Sequence, residues 1–132
     1  MFPYDNTLQL RPEGRIIVVA LHHEIDLQSA DAVTDAFRRA CTHGDTDATL
    51  LDLAALTFAD STLLALILQT RAEHEQAQRP LVLSGPLQTP VQRLLELTGA
   101  LSVLPLAGTR EQGLRQLHTL LDTATSPRTS QP

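Results

Sequence analysis

The sequence predicts a single α/β domain: a mainly parallel sheet of four to five strands with four helices packed on it. Three observations lead there. The apolar runs Arg15–Leu21, Ala48–Leu53 and Pro80–Ser84 are short and rich in Val, Ile and Leu, as strands covered on both faces require. Helical periodicity fills the stretches between them, and such alternation gives parallel strands joined by crossover helices. With 132 residues, 42% of them hydrophobic, the chain has room for one core and not two.

Each element has a local reason. Thr7–Arg11 alternates weakly and meets the turn cluster Pro12-Glu13-Gly14, so it reads as an edge strand turning back into Arg15–Leu21. Ser29 can N-cap the first helix, with Asp31 in its first turn, Val33, Ala36, Phe37 and Ala40 on its apolar face and Gly44 at its stop. The second helix begins near Ser61 and runs to about Gln78. At helical pitch Thr62, Gln69, Glu73 and Gln76 form its polar side, with Leu66 stranded among them, while Leu64, Ile67, Leu68 and Ala72 turn toward the sheet. Thr89-Pro90 opens the third helix, which Gly99 ends. Val103–Leu106 is a last strand, shortened by Pro105 into an edge. Thr109 and Gln112 can form a capping box for the fourth helix, with Leu114, Leu117, Leu120 and Leu121 on one face. The folded unit is expected over residues 1–122, with 123–132, rich in Ser, Thr, Pro and Gln, as a loose tail.

Composition removes several function classes. Fifteen acidic residues against ten basic ones give a formal charge of −5, which repels phosphate backbones. With three Phe, one Tyr and no Trp there is little to stack nucleobases on. All the basic residues are Arg, so lysine chemistry is absent. The one cysteine, Cys41, cannot form a disulfide within the chain, and no Cys/His spacing resembles a zinc site. No apolar run is long enough to span a membrane, and no signal pattern opens the chain, so a reducing, cytoplasmic setting is expected. Phosphate-binding loops, dinucleotide fingerprints and nucleophile elbows are missing, which argues against a nucleotide-dependent enzyme.

Two segments carry functional interest. His22-His23-Glu24-Ile25-Asp26 places two histidines and two carboxylates after a buried strand. Neighbouring strand residues point to opposite faces, so His22 and His23 do not readily share a metal. Thr57-Phe58-Ala59-Asp60-Ser61-Thr62-Leu63-Leu64 follows a strand and opens a helix, where Asp60 can cap. In a parallel sheet both segments leave at the carboxyl ends of neighbouring strands, the place α/β proteins use for sites.

These segments resemble a known family. Glu24-Ile25-Asp26-Leu27, the strand Leu50–Leu53, Phe58-Ala59-Asp60-Ser61 and Leu94-Leu95-Glu96-Leu97-Thr98-Gly99 together resemble a STAS domain, from about Thr7 to Leu121. That family includes the bacterial anti-sigma factor antagonists. The resemblance implies a switch and not an enzyme. The unphosphorylated protein binds an anti-sigma factor that is also a serine kinase, the kinase phosphorylates the serine after an Asp, and a phosphatase resets it. Asp60 matches that Asp, Ser61 the acceptor and Thr62 the next hydroxyl, and Asp26 matches an Asp on the partner-facing end. Leu63 stands where the family has glycine, adding bulk where a partner approaches, and His23 replaces the glycine before Glu24.

The partner face implied is Glu24, Asp26, Asp60, Ser61, Thr62, Leu63 and Leu66, with Ser61 phosphorylated and no metal, cofactor, nucleic acid or inserted membrane segment involved. A second reading is a STAS adaptor that is not phosphorylated, such as a subunit of a membrane lipid transporter. A third, a metal-assisted hydrolase using His23, Glu24 and Asp26, lacks a nucleophile, a base and an orienting partner together.

Overall fold

The computed structural model describes residues 8–25 and 27–130, the side chains of Leu27 and of residues 124–130 excepted. The central sheet has five strands, β1 (Leu8–Glu13), β2 (Ile16–Leu21), β4 (Ala48–Asp52), β6 (Leu81–Ser84) and β7 (Leu106–Ala107), in that spatial order. β1 runs antiparallel to β2 through a turn at Gly14, whose φ of +60° is the left-handed conformation that glycine tolerates. The remaining pairs are parallel. Four helices cover the sheet: α1 (Ala30–Cys41), α2 (Ser61–Gln76), α3 (Thr89–Leu97) and α4 (Arg110–Ser130).

The unbroken apolar runs are explained by two cores. Ile17, Val19, Leu21, Leu51, Leu53, Leu81 and Leu83 face α1, α2 and α3. Ile16, Val18, Leu50 and Val82, the alternate residues of the same strands, face Leu117 and Leu121 of α4. Helix α4 lies close over the sheet because Gly113 has no side chain, and a Cβ there would stand 2.6 Å from Leu50 Cδ1. Arg110 pairs with Glu13 and reaches Asp52 at 3.6 Å, tying the start of α4 to β1 and β4.

Several expectations are corrected. The final strand is Leu106–Ala107 and not Val103–Leu106, because Gly99, at φ +77°, leads into a 3-10 turn over Ala100–Ser102. Pro105 then contributes its carbonyl, which accepts from Leu83 N–H at 2.8 Å. Thr89 is the first residue of α3 and Gln88 its cap, one residue earlier than the Thr-Pro signal implies. Ser29 does precede α1, but with helical angles (φ −86°, ψ −6°) after a 3-10 turn, in place of the extended geometry of a side-chain cap. The capping pair of α4 is half present, with Gln112 N–H donating to Thr109 Oγ1 at 3.1 Å. Leu120 is exposed beside buried Leu117 and Leu121. Helix α4 runs from Arg110 to Ser130. Among the described residues no helix is long and apolar enough to cross a membrane.

Candidate functional site

Two short strands outside the central sheet build the site. β3 (His23–Ile25) and β5 (Leu56–Ala59) pair in parallel, with Glu24 opposite Phe58 and Ile25 opposite Ala59. Glu24-Ile25 and the approach to Asp60 therefore lie side by side at one end of the sheet. Buried Ile25, Leu56 and Ala59 anchor this ribbon on the core, while His23, Glu24 and Phe58 remain exposed. Asp26 lies outside the described residues.

Asp60 follows β5 and caps α2. Its backbone is extended (φ −109°, ψ −173°), and its Oδ1 accepts from Thr62 N–H at 2.9 Å. This satisfies one of the unpaired donors at the helix start and turns the carboxylate back over the first turn. Ser61 is the first helical residue and is exposed, and Thr62 is half-buried. The positive end of the helix dipole thus lies next to an accessible hydroxyl.

Leu63 differs from the expectation. It is 1% exposed and packs in the main core, so in this conformation its side chain cannot meet a partner. One residue of helical phase decides this: Leu63 and Ile67 lie four apart and share the inward face with Thr70 and His74. Leu66 is half-buried against the core and lines a shallow cleft between α1 and α2 with Phe37, Arg38 and Glu73, so it is less open than its polar neighbours suggest. Leu68 (39% exposed) and Ala72, expected toward the sheet, face outward.

Phe58 was missed as a surface residue. It is 47% exposed two residues before the cap, and its signal was being the one aromatic in a segment bordering the candidate serine. His23, where the resembled family has glycine, adopts φ +62°, the left-handed conformation glycine favours. The rings of His22 and His23 are 6.2 Å apart and tilted by 48°. Among the described residues no three His, Cys, Asp or Glu side chains converge as a metal site would require.

The chain matches the STAS domain family over residues 7–113 and belongs to that family. No curated protein matches it. Solved structures share the fold. An anti-sigma factor antagonist from Mycobacterium paratuberculosis is 22% identical, with 85% of this chain and 93% of that one covered and a TM-score of 0.76. RsbS from Moorella thermoacetica is 21% identical over 86% and 97%, with a TM-score of 0.72. The Bacillus antagonist SpoIIAA in its unphosphorylated form is 20% identical over 85% and 96%, with a TM-score of 0.71.

Proposed function

We propose that this STAS domain is a protein–protein switch of the anti-sigma factor antagonist kind, which binds an anti-sigma factor that is also a serine kinase and is released by phosphorylation at Ser61. The observation that carries the reading is Ser61 itself, exposed at the first position of α2 behind a capping Asp60. Beside it runs the ribbon bearing Glu24 and leading to Asp26. The bulk of Leu63 is buried in the core, while Ser61 is exposed. Bacillus SpoIIAA, whose fold this chain shares, has been solved in a phosphorylated form as well. The docking face in this reading is Glu24, Asp26, Asp60, Ser61, Thr62 and the half-buried Leu66. A phosphatase completes the cycle, and a cytoplasmic setting goes with it.

A phosphate on Ser61 suits the fold. Free N–H groups at the helix start and the positive dipole end accommodate it without unfolding. It adds about −1.5 to −2 charge beside Asp60, in a chain already at −5. Two like charges ~4 Å apart near a surface repel by roughly 4 kcal/mol before salt screening. The modification therefore acts on the docking face and leaves the domain folded.

The test is incubation of the protein with ATP and its co-purified kinase, followed by mapping of phosphate by mass spectrometry. Phosphate on Ser61 is expected, with Ser61→Asp weakening partner binding and Ser61→Ala binding but resisting release. Phosphate on Thr62 alone refutes the assignment. An unphosphorylated protein that still binds its partner through this face is the adaptor.

A further inference from the structure

At the opposite end of the sheet, two imidazoles and one guanidinium converge on two buried threonine hydroxyls. Arg79 donates from Nε to Thr49 Oγ1 at 3.2 Å and from Nη2 to Thr46 Oγ1 at 2.6 Å. Each hydroxyl also meets a histidine: Thr49 Oγ1 lies 2.9 Å from His74 Nε2, and Thr46 Oγ1 lies 3.1 Å from His43 Nδ1. A guanidinium only donates, so each hydroxyl accepts from Arg79 and has its own proton to give. On the far side of the His74 ring, Nδ1 lies 2.7 Å from the Thr70 carbonyl oxygen, which only accepts, with the Thr70 hydroxyl farther off at 3.2 Å. Nδ1 therefore carries the proton and Nε2 accepts from Thr49. The donor chain Arg79 to Thr49 to His74 to Thr70 runs one way and is complete only while His74 is neutral.

Arg79 also fastens the chain between α1 and β4. Its Nη1 donates to the carbonyls of Thr46 at 2.8 Å and His43 at 3.4 Å, and its Nη2 to that of Ala48 at 3.3 Å. The same loop, from Thr42 to Asp45, walls a cavity of about 500 Å³ whose apolar side is Leu10, Pro12 and Ile17.

We propose that this cluster is a proton-operated clamp: protonation of His74 reverses its bond to Thr49, sets an imidazolium against the Arg79 guanidinium, and frees the Thr42–Asp47 loop from the end of α2. With His74 charged, Thr49 Oγ1 would have to accept from two cations while its own hydrogen loses its acceptor. Burial holds the His74 pKa below the ordinary histidine value, against the Thr70 carbonyl bond and Glu73, which favour the proton; Arg79 opposes it. The other ionisable groups near the cluster are few. From α1 comes Cys41, whose thiol burial pushes up; from the loop come His43 and Asp47, the latter bound to Arg15 at 2.8 Å. β4 brings only the neutral Ala48 and Thr49 to the cluster.

The test is NMR of the full chain from pH 8 to pH 5, following the His74 and His43 rings and the amide protection of Thr46, Asp47, Ala48 and Thr49. His74 is expected as the neutral Nδ1–H tautomer at pH 8 and to take its proton only below pH ~6.5, with protection of those amides then falling about tenfold or more. The Val82 amide in β6 serves as the control. Arg79→Gln, which keeps a donor without the charge, should move the His74 titration upward. Thr49→Val, of similar shape, should make loop protection insensitive to pH if Arg79→Gln does not fold. A His74 that titrates while the four amides keep their protection overturns the clamp, as does an Nε2–H tautomer at pH 8.

Discussion

His23 holds φ +62° at the entry to β3, a conformation that costs an ordinary residue roughly 1–2 kcal/mol and glycine nothing. His23→Gly should therefore leave thermal stability unchanged or raise it by up to about 1 kcal/mol, where glycine in a regular strand would lower it. A clear drop in melting temperature would mean that the left-handed backbone is not the solution conformation. Leu63, at 1% exposure, predicts the opposite behaviour. Leu63→Ala should cost about 2–5 kcal/mol by transfer and cavity formation, and a melt within 1 kcal/mol of the parent would put Leu63 back on the surface. The contrast shows what was legible residue by residue. Asp60 could be read as a cap because capping depends on adjacent atoms: an acceptor side chain, an extended backbone and a waiting N–H. The inward turn of Leu63 could not, because it depends on which side of α2 meets the sheet.

At the scale of elements, α2 was the hardest to orient, since Leu63, Leu64, Leu66, Ile67 and Leu68 surround it with apolar side chains and no single stripe dominates. Its extent was readable, Ser61–Gln76 against an expected end near Gln78, while its rotation was not. Leu66 shows the consequence. Half-buried in the cleft against α1, it contributes to stability and, in the proposed docking face, to binding too, so Leu66→Asp should cost about 1–2 kcal/mol in a thermal melt as well as weakening partner binding. Lost binding with an unchanged melt would show Leu66 lying fully at the surface. The β3–β5 ribbon escaped the sequence reading for another reason: three- and four-residue strands leave too few alternations to detect. Helix α4 offers a sharper test of packing. Gly113→Val should destabilise by about 2 kcal/mol or more, because its side chain would meet Leu50 and Ser84 beneath the helix. Unchanged stability would mean that α4 rides higher on the sheet.

For the whole molecule, the fold was legible because two-sided burial of a parallel sheet writes itself as unbroken apolar runs, and alternation with helices then leaves few topologies. The buried polar cluster was not, since Thr49, His74 and Arg79 come from distant stretches that only the fold brings together. That cluster gives stability a pH dependence of definite sign. With the folded pKa of His74 below its unfolded value, the unfolded chain binds more protons in between, so stability is full above about pH 6.5 and falls as the pH drops below it. Melting temperatures measured from pH 7.5 to pH 5 should decline less steeply in His74→Gln than in the parent, and equal slopes would remove His74 as a contributor. The outer margins of the sheet carry a different consequence. Pro12 lies within β1 opposite Ile17 and has no N–H to offer, and β7 at the other margin is two residues long. A sheet bordered in this way is a poor template for strand-by-strand growth, so the protein should stay dispersed when concentrated, and Pro12→Val should scatter more light on standing.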